Sequence, residues 1–254
     1  MGTEISLMWT SRWSMSKALY FMSRYSPIFD VPILLYYSLA DNLSSEQCAQ
    51  LQTASSWGTV FGIAVAEAIL VLRTYALSGR NRNVLVFFVS LWLVGISATV
   101  VLLVLFEHSV VYGAAPSPFL PGCYMVEGNV IYAGIPFIIV LLNDTVIMAY
   151  TLWLGVKIFR YTKNPLITTL FRDGIMYYLL LFVISALNVA LMLEAPSVSA
   201  QLLNTFLRVF HSVCSTRILL NARNVSLDEE EAHERRSITV PSIRISLAGI
   251  DSRF

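Results

Sequence analysis

Asp30, Glu67, Asp144, Arg208 and His211 are ionisable side chains set deep within apolar stretches of this sequence. A carboxylate, guanidinium or imidazole in such surroundings needs a partner, a protonation change or a water-lined cavity, so each is a functional candidate on physical grounds. The chemistry open to them is ion pairing, proton exchange and recognition of a polar solute. Asn204, Arg208, His211 and Ser215 fall at i, i+4, i+7 and i+11, which places them as a single polar stripe on one helix face. Asn143 and Asp144 sit together near the middle of another apolar stretch, and Asn188 lies in a third. A carboxylate at mid-depth costs about 3 kcal/mol on insertion scales. Asp144 and Asp30 are therefore equal candidates to pair with Arg208, and spacing does not choose between them.

The chain is too apolar to be an ordinary soluble domain: 56% of its 254 residues are hydrophobic, 13% are charged, and the mean hydropathy is +0.67. It reads as an integral multi-pass membrane protein with the lipid bilayer as its first partner. Six apolar windows are long enough to cross: Lys17–Ala40, Leu51–Leu72, Asn83–Phe106, Val130–Val156, Leu170–Leu193 and Ser199–Leu220. Leu51–Leu72 alone spans roughly 33 Å as a helix, against about 30 Å of hydrocarbon. The predicted fold class is all-α, a polytopic helix bundle over residues 17–220, with a short segment 1–16 before it and a disordered tail 221–254 after it. Pro27 and Pro32 predict a bend in the first window. The opening residues lack a signal-peptide pattern, so that window is read as an uncleaved anchor.

Charge orients the bundle. Arg12, Arg73, Arg80, Arg82, Lys157, Arg160, Lys163, Arg217 and Arg223 fall on one set of connections, while Asp41–Gln50, Glu107–Asn129 and Glu194–Val198 contain no Lys or Arg. By the positive-inside bias both termini and the basic loops are cytoplasmic. Cys48 and Cys123 then share the outer, oxidising side and are predicted to form a disulfide. It would tie a proline-rich lid, Glu107–Asn129, to the second window, leaving Cys214 as a free thiol in the membrane. Asn42-Leu-Ser44 is a possible glycosylation sequon on that side. Gly58, Gly62 and Ala66 recur every fourth residue as a small-residue packing face for a neighbouring helix. Glu67, beside them, either pairs within the bundle or reaches the inner interface. Asn83–Phe106, with no ionisable residue after its basic start, reads as a structural, lipid-facing span.

The stretch Leu72-Arg-Thr-Tyr-Ala-Leu-Ser-Gly-Arg-Asn-Arg82 resembles a large family of multi-pass membrane proteins from mushroom-forming fungi, catalogued under a domain of unknown function of the 6533 type. Trp13-Ser, Leu19-Tyr, Arg24-Tyr, Phe171-Arg-Asp-Gly-Ile-Met-Tyr-Tyr178 and His211-Ser-Val-Cys-Ser-Thr-Arg-Ile-Leu-Leu-Asn221 carry the same likeness. The resemblance implies a seven-helix, receptor-like architecture with an outer amino terminus, of which this chain supplies six helices and lacks the first.

Several classes are disfavoured. The three cysteines have no metal-ligand spacing, so no metal and no cofactor are expected. The near-zero net charge of +1 speaks against a nucleic-acid partner. No His-x-x-x-His cluster, Gly-x-Ser-x-Gly or phosphate loop is present, so an enzyme is not expected. The preferred reading is a receptor-like or sensory protein of the plasma membrane or another secretory-pathway membrane, with an unknown ligand and a cytoplasmic signalling partner. The alternative is a proton-coupled carrier using Asp30, Asp144, Arg208 and His211. A third account makes the buried polar residues purely structural, since interhelical hydrogen bonds contribute about 0.6 kcal/mol each.

Overall fold

Pro27 decides the shape of the first apolar stretch. In the computed structural model, which describes residues 13–40, 43–113, 123–161, 165–194 and 205–220, this stretch is two helices: α1, Met15–Tyr25, and α2, Pro27–Leu39. Ser14 caps α1 by accepting a hydrogen bond from the Lys17 backbone at 3.3 Å. The chain turns at Ser26, and Pro27 opens α2 at a position where a missing N–H leaves no bond unmade. Pro32 lies inside α2 without ending it. The expected bend is thus a break before Pro27.

The third helix, α3, runs Ser45–Leu77 and is 33 residues long. Ser44 and Gln47 start it with a reciprocal capping box, each side chain bonding the other's backbone N–H. Gly79 ends it in the left-handed conformation at φ 70°, followed by Arg80 at φ 60°. The Arg80 N–H reaches back to the Tyr75 carbonyl, satisfying one of the last free acceptors of the helix. At about 1.5 Å per residue α3 is roughly 50 Å long and exceeds the hydrocarbon thickness. Arg73 was expected in a loop after the second window. It instead occupies the last turns of α3, buried, with its guanidinium 5.5 Å from the ring centre of Tyr178. The helix continues a full turn past Arg73 because Thr74 to Leu77 contains no breaker before Gly79.

Next come α4, Arg82–Ser109, strands β1, Val111–Gly113, and β2, Tyr124–Glu127, then α5, Val130–Tyr161, and α6, Pro165–Glu194. A last helix, α7, is described over residues 205–220. The strands pair antiparallel, with Tyr112 opposite Met125 and Gly113 opposite Tyr124. The lid was expected to be non-helical, and its strand pairing carries no clear period-two signal. Among the described residues, three helices are long and apolar enough to cross a membrane, Ser45–Leu77, Arg82–Ser109 and Ile131–Lys157, with a shorter apolar helical stretch at Met176–Ala190.

α3 is the axis of the bundle, packing against α1, α2, α4, α5 and β1 and meeting α7 along its small-residue face. The most apolar part of α3 is 56% buried, against 22% for α4 and for α5, which present large apolar side chains outward. An apolar cluster of Leu70, Val71, Phe88, Ile147, Tyr178, Leu181, Cys214 and Ile218 joins α3 through α7 near the Gly79 end. At the opposite end Cys48 is bonded to Cys123, with the Cα atoms 5.6 Å apart. The Cys123 N–H donates to the Tyr37 carbonyl at 3.1 Å, and the Tyr37 ring meets Tyr112 edge to face. The disulfide thus ties Cys123 to α3, and the hydrogen bond and ring contact tie the strand region to α2. Burial, and then Tyr37 beside it, pushes the Tyr112 phenol above its ordinary pKa.

Candidate functional site

Ser23, Ser26 and Asp30 recur along one face of the α1–α2 segment, and Arg208, Ser212 and Ser215 of α7 meet them, while His211 of the expected stripe turns to α5. Nearest the disulfide end, Arg208 Nε donates to Asp30 Oδ2 at 2.8 Å and Nη2 donates to the Ser26 hydroxyl at 2.6 Å. Both charged side chains are withdrawn from the surface, Asp30 to 5% exposure and Arg208 to 1%. Proximity resolves the two-way choice left by the sequence: Arg208 pairs with Asp30, not Asp144. About one and two turns further along α7, Ser212 donates to the Ser23 carbonyl, and the Ser23 and Ser215 hydroxyls are 3.0 Å apart.

The small-residue stripe of α3 makes this pairing possible. A Cβ built on Gly62 would overlap the Arg208 guanidinium, and one on Gly58 would stand 2.8 Å from Asp30 Cβ. These glycines admit charged side chains from α2 and α7 where the expectation was close approach of a neighbouring backbone. Ala66, next in the stripe, is fully buried. Trp92 of α4 donates to the Ala64 carbonyl at 3.2 Å on the other side of the same helix.

A second polar cluster lies about one turn deeper along α3. His211 Nε2 is 3.5 Å from Asp144 Oδ2, within ion-pair range and longer than a good hydrogen bond. Ser185 donates to the same carboxylate oxygen at 3.2 Å. Glu67 is buried here beside Asn143 and Asp144, with its Oε1 lacking a hydrogen-bond partner among the described residues, so it lies inside the bundle. Asn143 occupies the space over Gly95 of α4, where a Cβ would come 2.8 Å from its amide nitrogen. Asn188 is fully buried on α6, and neither of its amide atoms has a hydrogen-bond partner among the described residues. Glu67, Asp144 and His211 thus bring three titratable groups from α3, α5 and α7 into one enclosed region.

A cavity of about 50 Å³ separates the Asp30–Arg208 pair from the disulfide end. Gln52, Ser55, Ser56 and Thr59 of α3 form its polar wall, and Val31 and Leu34 of α2 its apolar one. Asp30 Oδ1 and Arg208 Nη1 are buried without hydrogen-bond partners among the described residues. Sequence reasoning missed this cavity and its serines, since Ser and Thr in apolar helices usually bond their own preceding turn, as Thr74 and Thr145 do here. The i, i+3, i+7 spacing of Ser23, Ser26 and Asp30 was the available signal. Asn42 and Asn204, the proline-rich part of the lid at 114–122 and the tail 221–254 lie outside the described residues. Cys214 is a buried free thiol, and no group of three or more His, Cys, Asp or Glu suited to a metal occurs among the described residues.

Residues 1–29 match a family model described as a family of unknown function (DUF6533). The match takes in α1 and the first residues of α2, up to the residue before Asp30, and leaves the rest of the chain unmatched by it. No curated protein and no solved structure matches the chain. Its opening segment is thus similar to a family of unknown function, joined here to an apolar helical bundle with a charged pair at its centre.

Proposed function

We propose that the chain is a receptor-like, non-enzymatic membrane protein in which occupancy of the cavity beside the disulfide is relayed through the Asp30–Arg208 pair to the opposite end of the bundle. Six crossings, α1 with α2, then α3, α4, α5, α6 and α7, carry this design, with the Gly79–Arg82 turn at the cytoplasmic face. Two observations support that orientation: the disulfide lies at the end away from Arg80 and Arg82, and disulfides persist in oxidising compartments. The same bond supports a plasma-membrane or other secretory-pathway location. Arg80 and Arg82, exposed at the turn, offer a basic surface to a cytoplasmic partner.

The observation that carries the reading is the position of the charged pair. It forms one wall of a small polar cavity and at the same time bridges α2 to α7, so a solute that competes for Asp30 or Arg208 changes the contact between those helices. A second reading, a proton-coupled carrier, is favoured by the enclosed Glu67, Asp144 and His211 group.

Reconstituting the full chain in liposomes tests the two against each other. A polarity-sensitive dye at Arg82→Cys, with Cys214 replaced by Ala, reports the basic end, while an entrapped pH dye reports proton flux. The receptor reading expects Arg208→Gln to shift the Arg82-end fluorescence with no proton flux in any variant. Flux that disappears in Asp144→Asn, with the dye at position 82 unmoved by Arg208→Gln, would establish the carrier instead.

A further inference from the structure

We propose that the α4–α5 face at the Gly79 end of the bundle binds an anionic phospholipid, its phosphate between Arg82 and Lys157 and its acyl chains along the two helices. The inference goes beyond the relay and holds for a receptor or a carrier alike, because it needs only that these helices lie in a bilayer.

Register places the two cations together. Gly95 of α4 faces Asn143 of α5, and the Phe88 and Tyr150 rings meet edge to face with centres 5.3 Å apart. Seven residues back along α4 therefore match seven forward along α5. Carried six residues further, the same antiparallel register brings Arg82, the first residue of α4, level with Val156 and beside Lys157. Packed helix axes lie about 8–10 Å apart, and both side chains are long and exposed, so one phosphate can meet both.

Nothing nearby in sequence neutralises this pair. No Asp or Glu occurs from Arg73 to Phe106 or from Thr145 to Arg172, and neither cation forms an ion pair among the described residues. Lys157 Nζ lies 5.3 Å from the ring centre of Trp153, which is 57% exposed. The ring covers one side of the ammonium and leaves its other N–H groups for an anion. The amino terminus of α4 adds partial positive charge at the same level.

The surroundings favour a lipid as the source of that anion. Exposed Trp residues sit at head-group depth, where a lipid phosphate resides. Further into the membrane, Val86 and Phe87 of α4 and Val146 and Leu152 of α5 are exposed and apolar, a seat for acyl chains that a free phosphate does not use. Head-group charge then selects among lipids. Phosphatidylcholine carries a cation beside its phosphate, which Arg82 and Lys157 repel, whereas phosphatidylglycerol carries the phosphate alone.

Immobilised full chain, equilibrated with mixed micelles holding equal amounts of phosphatidylglycerol and phosphatidylcholine with matched acyl chains, tests this by mass spectrometry of the retained lipid. Phosphatidylglycerol should be enriched about tenfold or more and saturate near about one molecule per chain. Lys157→Gln and Arg82→Gln should each lower the enrichment about fivefold, and Lys157→Arg should keep it. Arg217→Gln removes the same charge from an exposed position on α7 at the same end and should change the enrichment by less than about twofold. Exchanging sodium chloride for sodium phosphate at equal ionic strength should leave retention unchanged. Helical circular dichroism matched to the parent establishes that these exposed substitutions are read in folded protein. Equal retention of the two lipids, or enrichment undiminished when Lys157→Gln and Arg82→Gln are combined, overturns the inference. So does an equal loss in Arg217→Gln, which would mean diffuse charge attraction, and so does displacement by phosphate, which would mean a site for free anions.

Discussion

Replacing Gly62 by Ala should destabilise the protein, contrary to the ordinary effect of that change in a helix. Elsewhere in a helix interior the substitution stabilises by about 1 kcal/mol, because Ala loses less backbone entropy. Gly134 of α5 supplies the internal control, since a Cβ there meets nothing within 4 Å. At Gly62 the new methyl takes the place of the Arg208 guanidinium. Arg208 must then swing away from Asp30, leaving both charges buried and apart, and breaking a buried pair costs about 3 to 5 kcal/mol. Set against the helix gain, the net loss is about 2 to 4 kcal/mol. At roughly 2 to 4 °C per kcal/mol for a chain of this size, that is a Tm drop on the order of 10 °C. Thermal unfolding of purified protein in detergent, followed by helical circular dichroism, reads it directly. With Asp30 and Arg208 both replaced by Leu, the Gly62→Ala penalty should fall to near zero. A Gly62→Ala protein as stable as Gly134→Ala, or a penalty unchanged in the double-Leu background, would refute the idea that Gly62 seats the guanidinium.

Other outcomes follow from the same geometry. Asp144→Asn should cost less than Asp30→Asn, about 1 to 2 kcal/mol, because the 3.5 Å contact with His211 is loose and Asn can still accept from Ser185; equal losses in matched unfolding curves would contradict this. Unreduced peptide mass spectrometry should recover Cys48 linked to Cys123 with Cys214 as the free thiol, and Cys48→Ser should lower stability by about 2 to 4 kcal/mol. Tyr112, its phenol pKa raised by burial, contributes stability that is complete below the unfolded phenol value of about 10 and declines as pH rises beyond it. Tyr112→Phe should therefore flatten the alkaline fall in Tm, and an unchanged alkaline profile would show that Tyr112 does not carry it.

Much of the scaffold is legible in the sequence because membrane helices answer to length, apolarity and charge. All six apolar windows hold described helix, the first as two helices, with three helices long and apolar enough to cross a membrane, and the Cys48–Cys123 bond follows from the charge map together with two cysteines on one side. The failures have local causes. Arg73 was grouped with Arg80 and Arg82 by its charge, whereas the next helix breaker is Gly79, so the helix carries Arg73 past the expected loop boundary and onto the face of Tyr178. The break at Ser26 is unmarked by glycine, and either of two prolines satisfied the pattern. The candidate site was legible as a list of residues and not as pairs. Asp30 and Asp144 carry the same charge at similar depth, and only the seating of Arg208 over Gly62 distinguishes them. The serine partners Ser23, Ser26 and Ser212 were missed because a hydroxyl in an apolar helix has a local acceptor whether or not a neighbouring helix supplies another.

The most direct test of the account is a pair of double-mutant cycles on Arg208 in a lipid or mixed-micelle environment, one with Asp30 and one with Asp144, read as unfolding free energies for Arg208→Leu, each Asp→Leu and the combinations. Coupling of about 2 kcal/mol or more between Arg208 and Asp30, with Arg208 and Asp144 additive to within about 0.5 kcal/mol, is the expected result. Additivity between Arg208 and Asp30, or coupling that appears with Asp144 instead, would contradict the charged pair on which the cavity, the α2–α7 bridge and the proposed relay all depend.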